Sequence, residues 1–296
     1  MKGRTSLVAL AALAALAAVA VVAVVVLRGP PPTSEVYTEP STAWALDGFP
    51  GPATTGVPTG TMLQSSGSLV VKRDGTILDG LDIDGCVDVK ADDVTIRRSR
   101  IACARPTTAV RLHDGYRGLT LEDVEIDGRG VVSTAVGFTH YTLRRVDIHD
   151  VIDGPRLGDE TIVEDSYVHD LVRAEGSHND ALQITGGSGI VVRHNTLIAY
   201  REDSGDLFNA AVMVGSSSAP VSDVLIEGNY VDGGNYTVNF HDGLVASDIV
   251  GRDNTFGPHH RYGPLARGDL DSVTWTGQPW DGESPAPEPS GGSDQG

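Results

Sequence analysis

One eight-residue phrase returns seven times between Val94 and Phe256. It opens on a short alternating triplet, passes through two polar residues, in most copies reaches a Ser or Asn, and closes on an apolar position. The first copy reads Val94-Thr95-Ile96-Arg97-Arg98-Ser99-Arg100-Ile101, and the others begin at Leu119, Tyr141, Thr161, Ile190, Val224 and Ile249. Strands this short cannot bury a core alone, so a chain repeating them every 20 to 34 residues must stack one copy on the next. A third short alternating segment precedes each later copy: Val110-Arg111-Leu112, Val136-Gly137-Phe138, Pro155-Arg156-Leu157, Leu182-Gln183-Ile184, Val212-Met213-Val214 and Val238-Asn239-Phe240. Period-two alternation points one side chain inward and the next outward. Three strands per turn then give three parallel sheets around an apolar column, an all-β single-stranded solenoid.

The ends of the chain differ in character from the repeats. Residues 6–27 carry no charge, enough to cross a hydrocarbon layer of about 30 Å as a helix. Lys2 and Arg4 precede this run and orient the remainder to the outside. Residues 1–28 therefore read as an N-terminal hydrophobic helix, a signal anchor or a cleaved signal peptide, and both place the body outside the cytoplasm. Residues 29–42 form a Pro-rich linker, 43–280 the folded domain with repeats over about 68–256, and 281–296 a disordered Pro/Gly/Ser-rich tail.

Composition matters chiefly for what it excludes. A net charge of −18, with 40 acidic residues, argues against nucleic acid, which is gripped by Lys and Arg on phosphates. The two cysteines, Cys86 and Cys103, fit a disulfide across the first turns in an oxidising compartment. The asparagines at 195, 229 and 254 recur at one place in the phrase, where stacked amides can satisfy one another along a turn.

With the repeated triplets, the Asn turn and the breaks at Asp79-Gly80, Asp127-Gly128 and Gly186-Gly187, the chain resembles right-handed parallel β-helix proteins of the pectate-lyase-like superfamily. The residues before the repeats, Phe49-Pro50-Gly51-Pro52 and 57–63, resemble the lead-in of exported bacterial β-helix proteins. Trp275 and Trp280 suit a cap on the far end of the stack. The resemblance implies an extracellular protein that acts on, or binds, a polysaccharide or cell-wall glycan along one sheet.

Candidate chemistry comes from the spacing. Measured at Ile96, Leu121, Leu143, Val163, Val192, Ile226 and Val250, the turns advance by 25, 22, 20, 29, 34 and 24 residues. The two long steps are adjacent, so two insertions, 169–180 and 200–209, emerge side by side, as binding loops do on repeat scaffolds. The outward row of the third strands reads Arg111, Gly137, Arg156, Gln183, Met213 and Asn239, with Gly158 and Gly215 one step beyond leaving room for a sugar ring.

On this reading His178, Asp180 and Arg156 are the catalytic candidates. His178 and Asp180 are two apart and point the same way in an extended segment, so the carboxylate can orient a basic imidazole. A planar guanidinium holds a sugar carboxylate in bidentate fashion. Gln183, Arg173, Asn209, Asn239 and His241 are the candidates for holding substrate. Three lysines, all remote from the insertions, make a lysine base unsuitable. Asp153 and Glu175, with Asp180, offer hard oxygen donors suited to calcium, and no other cofactor is indicated. His149-Asp150 and His169-Asp170 read as turn residues that end their strands.

The expected reaction is proton abstraction beside a carboxyl group, a polysaccharide lyase or epimerase. Two alternatives stand beside it: a non-catalytic glycan-binding module, and a glycoside hydrolase using paired carboxylates. The paired Asp-Asp, Gly-His-Gly and Arg-Ile-Lys motifs of β-helix polygalacturonases are absent.

Overall fold

The triplets become strands because each can alternate, and they stack because one face of each is apolar. A computed structural model of the chain describes residues 34–37, 46–266 and 271–277. Those residues form an all-β structure whose strands pair in parallel from one repeat to the next. The opening triplets make one ladder, in which Thr95, Thr120 and Thr142 stand in register, followed by Ile162, Val191, Leu225 and Val250. The closing residues of each phrase make a second ladder, through Asp147, Tyr167, Thr196, Tyr230 and Thr255. The third segments make a third, with Arg111 beside Gly137 and Arg156, Gln183, Met213 and Asn239 in line.

Two sharp bends per repeat bring these ladders together. The residue before each phrase and the fifth residue within it are left-handed in every copy: Asp93 and Arg98, Gly118 and Asp123, His140 and Arg145, Glu160 and Asp165, Gly189 and His194, Asp223 and Gly228, Asp248 and Asp253. Eleven of these fourteen are not glycine, so the bends are imposed by the burial on either side rather than by permissive residues.

Inside the bends runs a column of Ile96, Leu121, Leu143, Val163, Val192 and Ile226, none of them exposed. Each such side chain contributes about 1.5–3 kcal/mol through removal of its apolar surface from water. The column ends at Gly251, which pairs with Ile226, so the last step is 25 residues and Val250 lies one position off the column. The Trp275 ring occupies the space a side chain at Gly251 would fill, its Cε3 lying 2.0 Å from where a Cβ would stand, and packs against Phe240 and Phe256. Trp280 lies outside the described residues.

The asparagine turn is a buried ladder. Asn195 Nδ2 donates to Asn229 Oδ1 (3.0 Å), and Asn229 Nδ2 to Asn254 Oδ1 (2.9 Å). The same oxygens accept the backbone N–H of Asn195 and Asn229. Ser166 extends the ladder, its N–H donating to Asn195 Oδ1 and its hydroxyl accepting from Val146 N. Asn229→Ala strips partners from Asn195 N, Asn195 Nδ2 and the Val192 carbonyl at once. It is expected to cost about 2–4 kcal/mol, read as a lower urea midpoint with unchanged m-value. An unchanged midpoint would show that the rungs are satisfied some other way.

Cys86 and Cys103 are joined by a disulfide. Within the stretch read as a linker, Ser34–Val36 is a strand, antiparallel to Met62–Gln64. An extended backbone emerging from prolines presents unpaired donors and acceptors, and here they cover the free edge of the first strand. The lead-in around Phe49 lies along the flank: Phe49 packs on Tyr230 and His194, and the Thr196 hydroxyl donates to the Pro50 carbonyl (2.7 Å). Among the described residues there is no helix long and apolar enough to cross a membrane. The hydrophobic segment 1–28 and the tail 281–296 lie outside the described residues.

Candidate active site

The two insertions meet where the third ladder begins. Asn209 N donates to the Asn179 carbonyl (2.9 Å), and Arg173 pairs with Asp206 through Nε (2.8 Å), linking one insertion to the other. Asn179 is buried and fixes the bend, its amide donating to the carbonyls of Ile152 and Val172. It thereby delivers Asp180 to the first position of the strand Asp180–Ile184.

Asp180 is only 1 % exposed. Its two carboxylate oxygens are held by Gln183 Nε2 (3.0 Å) and Asn209 Nδ2 (2.7 Å). Burial pushes its pKa up to about 7; the two amide donors pull it down, and the neighbouring charge of Asp153 pushes it further up. Asp153 sits one turn earlier and accepts the Asp180 backbone N–H (3.2 Å). Burial raises it as well, to about 6, against that hydrogen bond and the nearby Arg156 and His178. The Asp153 side chain is 14 % exposed and the Arg156 side chain 34 %, with Arg156 Nη2 at 3.7 Å from Asp153 Oδ2.

Arg156 is steadied from behind by the buried Tyr141, whose hydroxyl donates to the Arg156 carbonyl (2.8 Å). Beside Arg156 opens a shallow depression of about 330 Å³, lined by Phe138, Thr139, Thr185 and Ser218 among others. Of the two small residues read as making room for a sugar, Gly158 lines this depression and Gly215 does not, a Cβ at Gly215 lying 3.7 Å from His241 Cβ. Gly158 is small because the stack demands it: a Cβ would stand 2.7 Å from Thr139 Cγ2.

Five candidate residues thus converge: Asp153, Arg156, Asp180, Gln183 and Asn209. Asp153, read from sequence as a metal ligand, is the accessible carboxyl of the group. Asp180, read as a partner of His178, is hydrogen-bonded instead by Gln183 and Asn209, so these two amides hold the acid rather than a substrate. His178 is exposed and stands near enough to influence Asp153 electrostatically. Arg173 is occupied by Asp206 and lies 5.1 Å from the Phe208 ring centroid. Glu175 is exposed, and so is His241, whose Nδ1 lies 2.6 Å from the Asp242 carbonyl. Asn239 holds its place in the outward row, two turns beyond Gln183.

A second cluster lies on the second ladder. Asp150 and Asp170 are left-handed turn residues, as their position suggests, but the histidines before them are half-buried, their rings tilted against each other at 5.4 Å between centroids, with His169 stacked on Tyr167. His169 bridges Asp147 (2.9 Å) and Asp170 (2.7 Å). His149 bridges Asp150 (2.9 Å) and Glu125 (3.5 Å). Burial lowers the pKa of His149, yet the hydrogen bonds to Asp150 and Glu125 lift it to about 10, and His169 is raised in the same way. Asp127, His149 and Asp150 offer ligand atoms within 4.8 Å of one another, but Arg129 Nε already holds Asp127 at 2.9 Å. Arginine in that place makes this an ion-pair network of the wall.

Comparison with family models, with curated proteins and with solved structures found no match. The functional reading rests on the geometry.

Proposed function

We propose that the chain is an exported right-handed parallel β-helix protein of the pectate-lyase-like kind. We infer that it removes a proton beside the carboxyl group of an acidic polysaccharide, as a lyase or epimerase. The observation that carries this is the juxtaposition of a partly exposed carboxyl, poised near pH 6, with a partly exposed arginine at 3.7 Å.

Asp153 is the base and Arg156 the carboxylate grip. A base with a pKa near the working pH combines a useful ionised fraction with proton affinity. The guanidinium binds the sugar carboxylate and the charge that spreads onto it as the adjacent C–H bond breaks. In elimination the C–H electron pair becomes the new C=C bond, the glycosidic C–O bond breaks, and the departing oxygen takes a proton from solvent. In epimerisation the C–H electron pair delocalises onto the carboxylate held by Arg156, a proton from solvent is added at the opposite face, and the proton on Asp153 passes to solvent.

The Asp180 backbone N–H, donated to Asp153, opposes the rise that burial gives this base. Hydrolysis would need both carboxyls to flank a glycosidic bond. Asp180, buried and with both oxygens taken, does not reach one. The disulfide suits the oxidising compartment to which the N-terminal hydrophobic segment would deliver the chain.

A second reading, glycan binding without turnover, draws on a different observation. Five of the seven buried polar atoms without a partner among the described residues belong to the third ladder or the residue leading into it. They are Arg111 Nε, Arg156 Nε, Gln183 Oε1, Asn235 Oδ1 and Thr237 Oγ1. All of these residues but the fully buried Thr237 are partly exposed, so a polyhydroxylated ligand lying along the stack can meet their side chains.

The test is incubation with a panel of polyuronates in ordinary and heavy water. Unsaturated product supports elimination, and deuterium incorporation without cleavage supports epimerisation. Binding with neither leaves the module reading, and no binding to any polymer overturns both.

A further inference from the structure

Arg111 is anomalous in this wall. The arginines within the repeated phrase are tied to carboxylates: Arg97 and Arg98 to Asp79, Arg100 to Glu125, Arg145 to Glu122 and Asp123, Arg144 and Arg193 to Glu164, Arg252 to Glu227. Arg111 is half-buried, its Nε is out of contact with solvent and without an acceptor, and no ion pair reaches it among the described residues. Its cross-strand neighbour Asp88 is engaged by His113 Nε2 at 2.7 Å. An arginine kept partly out of water without a counter-ion is costly unless an anion completes it.

Its surroundings say where that anion sits. Arg111 pairs in register with Gly137, which has no side chain to fill the row, and Arg156 follows on the next turn. The two guanidinium carbons lie 5.8 Å and 5.7 Å from the centroid of one ring, Phe138, whose face attracts cations and fixes both. Arg156 has an unpartnered Nε too, and the depression of about 330 Å³ opens at its side. The acid on its rim, Asp159, accepts the backbone N–H of Ser188 (3.0 Å).

We propose that Arg111, Phe138 and Arg156 form a two-point anion subsite. It binds a polymer bearing carboxylate or sulfate groups on one side about 10 Å apart, two turns of the stack at about 4.8 Å each. This rests on the proposed reading of the same groove as a glycan site and adds Arg111 as a residue that selects charge. Arg156 serves the reacting sugar, and Arg111 serves an acidic group further along the chain.

The experiment measures binding of polygalacturonate, dextran sulfate and uncharged dextran to the full chain at two salt concentrations. It compares wild type with Arg111→Gln and Arg111→Lys. The expected result is salt-dependent binding of at least one anionic polymer, weakened about tenfold in Arg111→Gln with a shallower salt dependence. Arg111→Lys, which keeps the charge but not the planar fork, should retain the salt dependence and lose part of the affinity. Preference between the two anionic polymers distinguishes carboxylate from sulfate.

Equal affinity of wild type and Arg111→Gln for both anionic polymers overturns the proposal, and so does failure of both to bind. So does dextran binding as tightly as they do. Thermal unfolding of each variant keeps a folding defect from passing as lost binding, and Arg111→Lys carries the test should Arg111→Gln not fold. Arg111-dependent binding without any product would sustain the subsite while sinking the reaction. Turnover indifferent to Arg111 would do the reverse.

Discussion

Asp153→Asn is expected to lower turnover of a responsive polyuronate by about a thousandfold or more while leaving the protein folded, whereas His178→Ala should change it little. The amide keeps the shape of the carboxyl, and its oxygen can still accept the Asp180 N–H (3.2 Å) that positions the turn. What it loses is the ability to take a proton. In the wild type, kcat/KM should rise as pH passes about 6, where Asp153 ionises. His178 contributes only a nearby positive influence on that carboxyl, so its removal should shift the rise slightly upward without abolishing it. An equal collapse in both variants would return the base to His178. Retained turnover in Asp153→Asn would dismiss the carboxyl altogether.

The exchange of roles between His178 and Asp153 shows where sequence reading stops. Periodicity located the row Arg111, Gly137, Arg156, Gln183, Met213, Asn239, because outward positions follow from alternation, and the register carries Arg111 to Gly137 and Arg156 on to Asn239. The adjacency of the insertions followed from the unequal steps, and Asn209 does meet Asn179 and Asp180. What alternation cannot give is depth at a corner. Asp180 has the same parity as the inward Leu182, and only the bend fixed by Asn179 turns its carboxylate toward Gln183. Its burial, and with it the pairing with Asp153, depends on how two loops close, which no local pattern encodes.

The left-handed positions are a similar case. Asp, Arg, His and Glu before and within the phrase do not announce a positive φ as glycine would, so the bends were legible only as a period. The neighbouring His149 and His169 are hidden in the sequence because each is followed by an aspartate that does form the turn. The signal was available in the register: with Ile148 beside Val168, the residues after them must also be neighbours. The asparagine ladder needed no such help, since one amide at one place in successive phrases can only face its copies.

Asp180→Asn should make the protein more stable at pH 8 and change it little at pH 4. A carboxyl whose folded pKa is about 7 holds its proton in the native state after the unfolded chain has released it near pH 4. The native state thus binds more protons across that interval, and stability falls as pH rises through it. The stabilisation is complete below the unfolded value and is lost by about pH 8, a change of about 3–4 kcal/mol for this buried group. The amide variant does not titrate, and Gln183 can turn its unpartnered Oε1 to accept the new N–H. His149 and His169, whose raised pKa values give stability that fades above neutral pH, are common to both proteins, as are the carboxylates held low by arginine. The difference between the two urea midpoints at pH 5 and at pH 8 therefore isolates Asp180. Parallel pH curves would mean that the carboxyl is ionised throughout, with Gln183 and Asn209 outweighing its burial. In that case Asp153 would have a charged neighbour at every working pH, and its own ionisation, with the rise in kcat/KM, would move above 6.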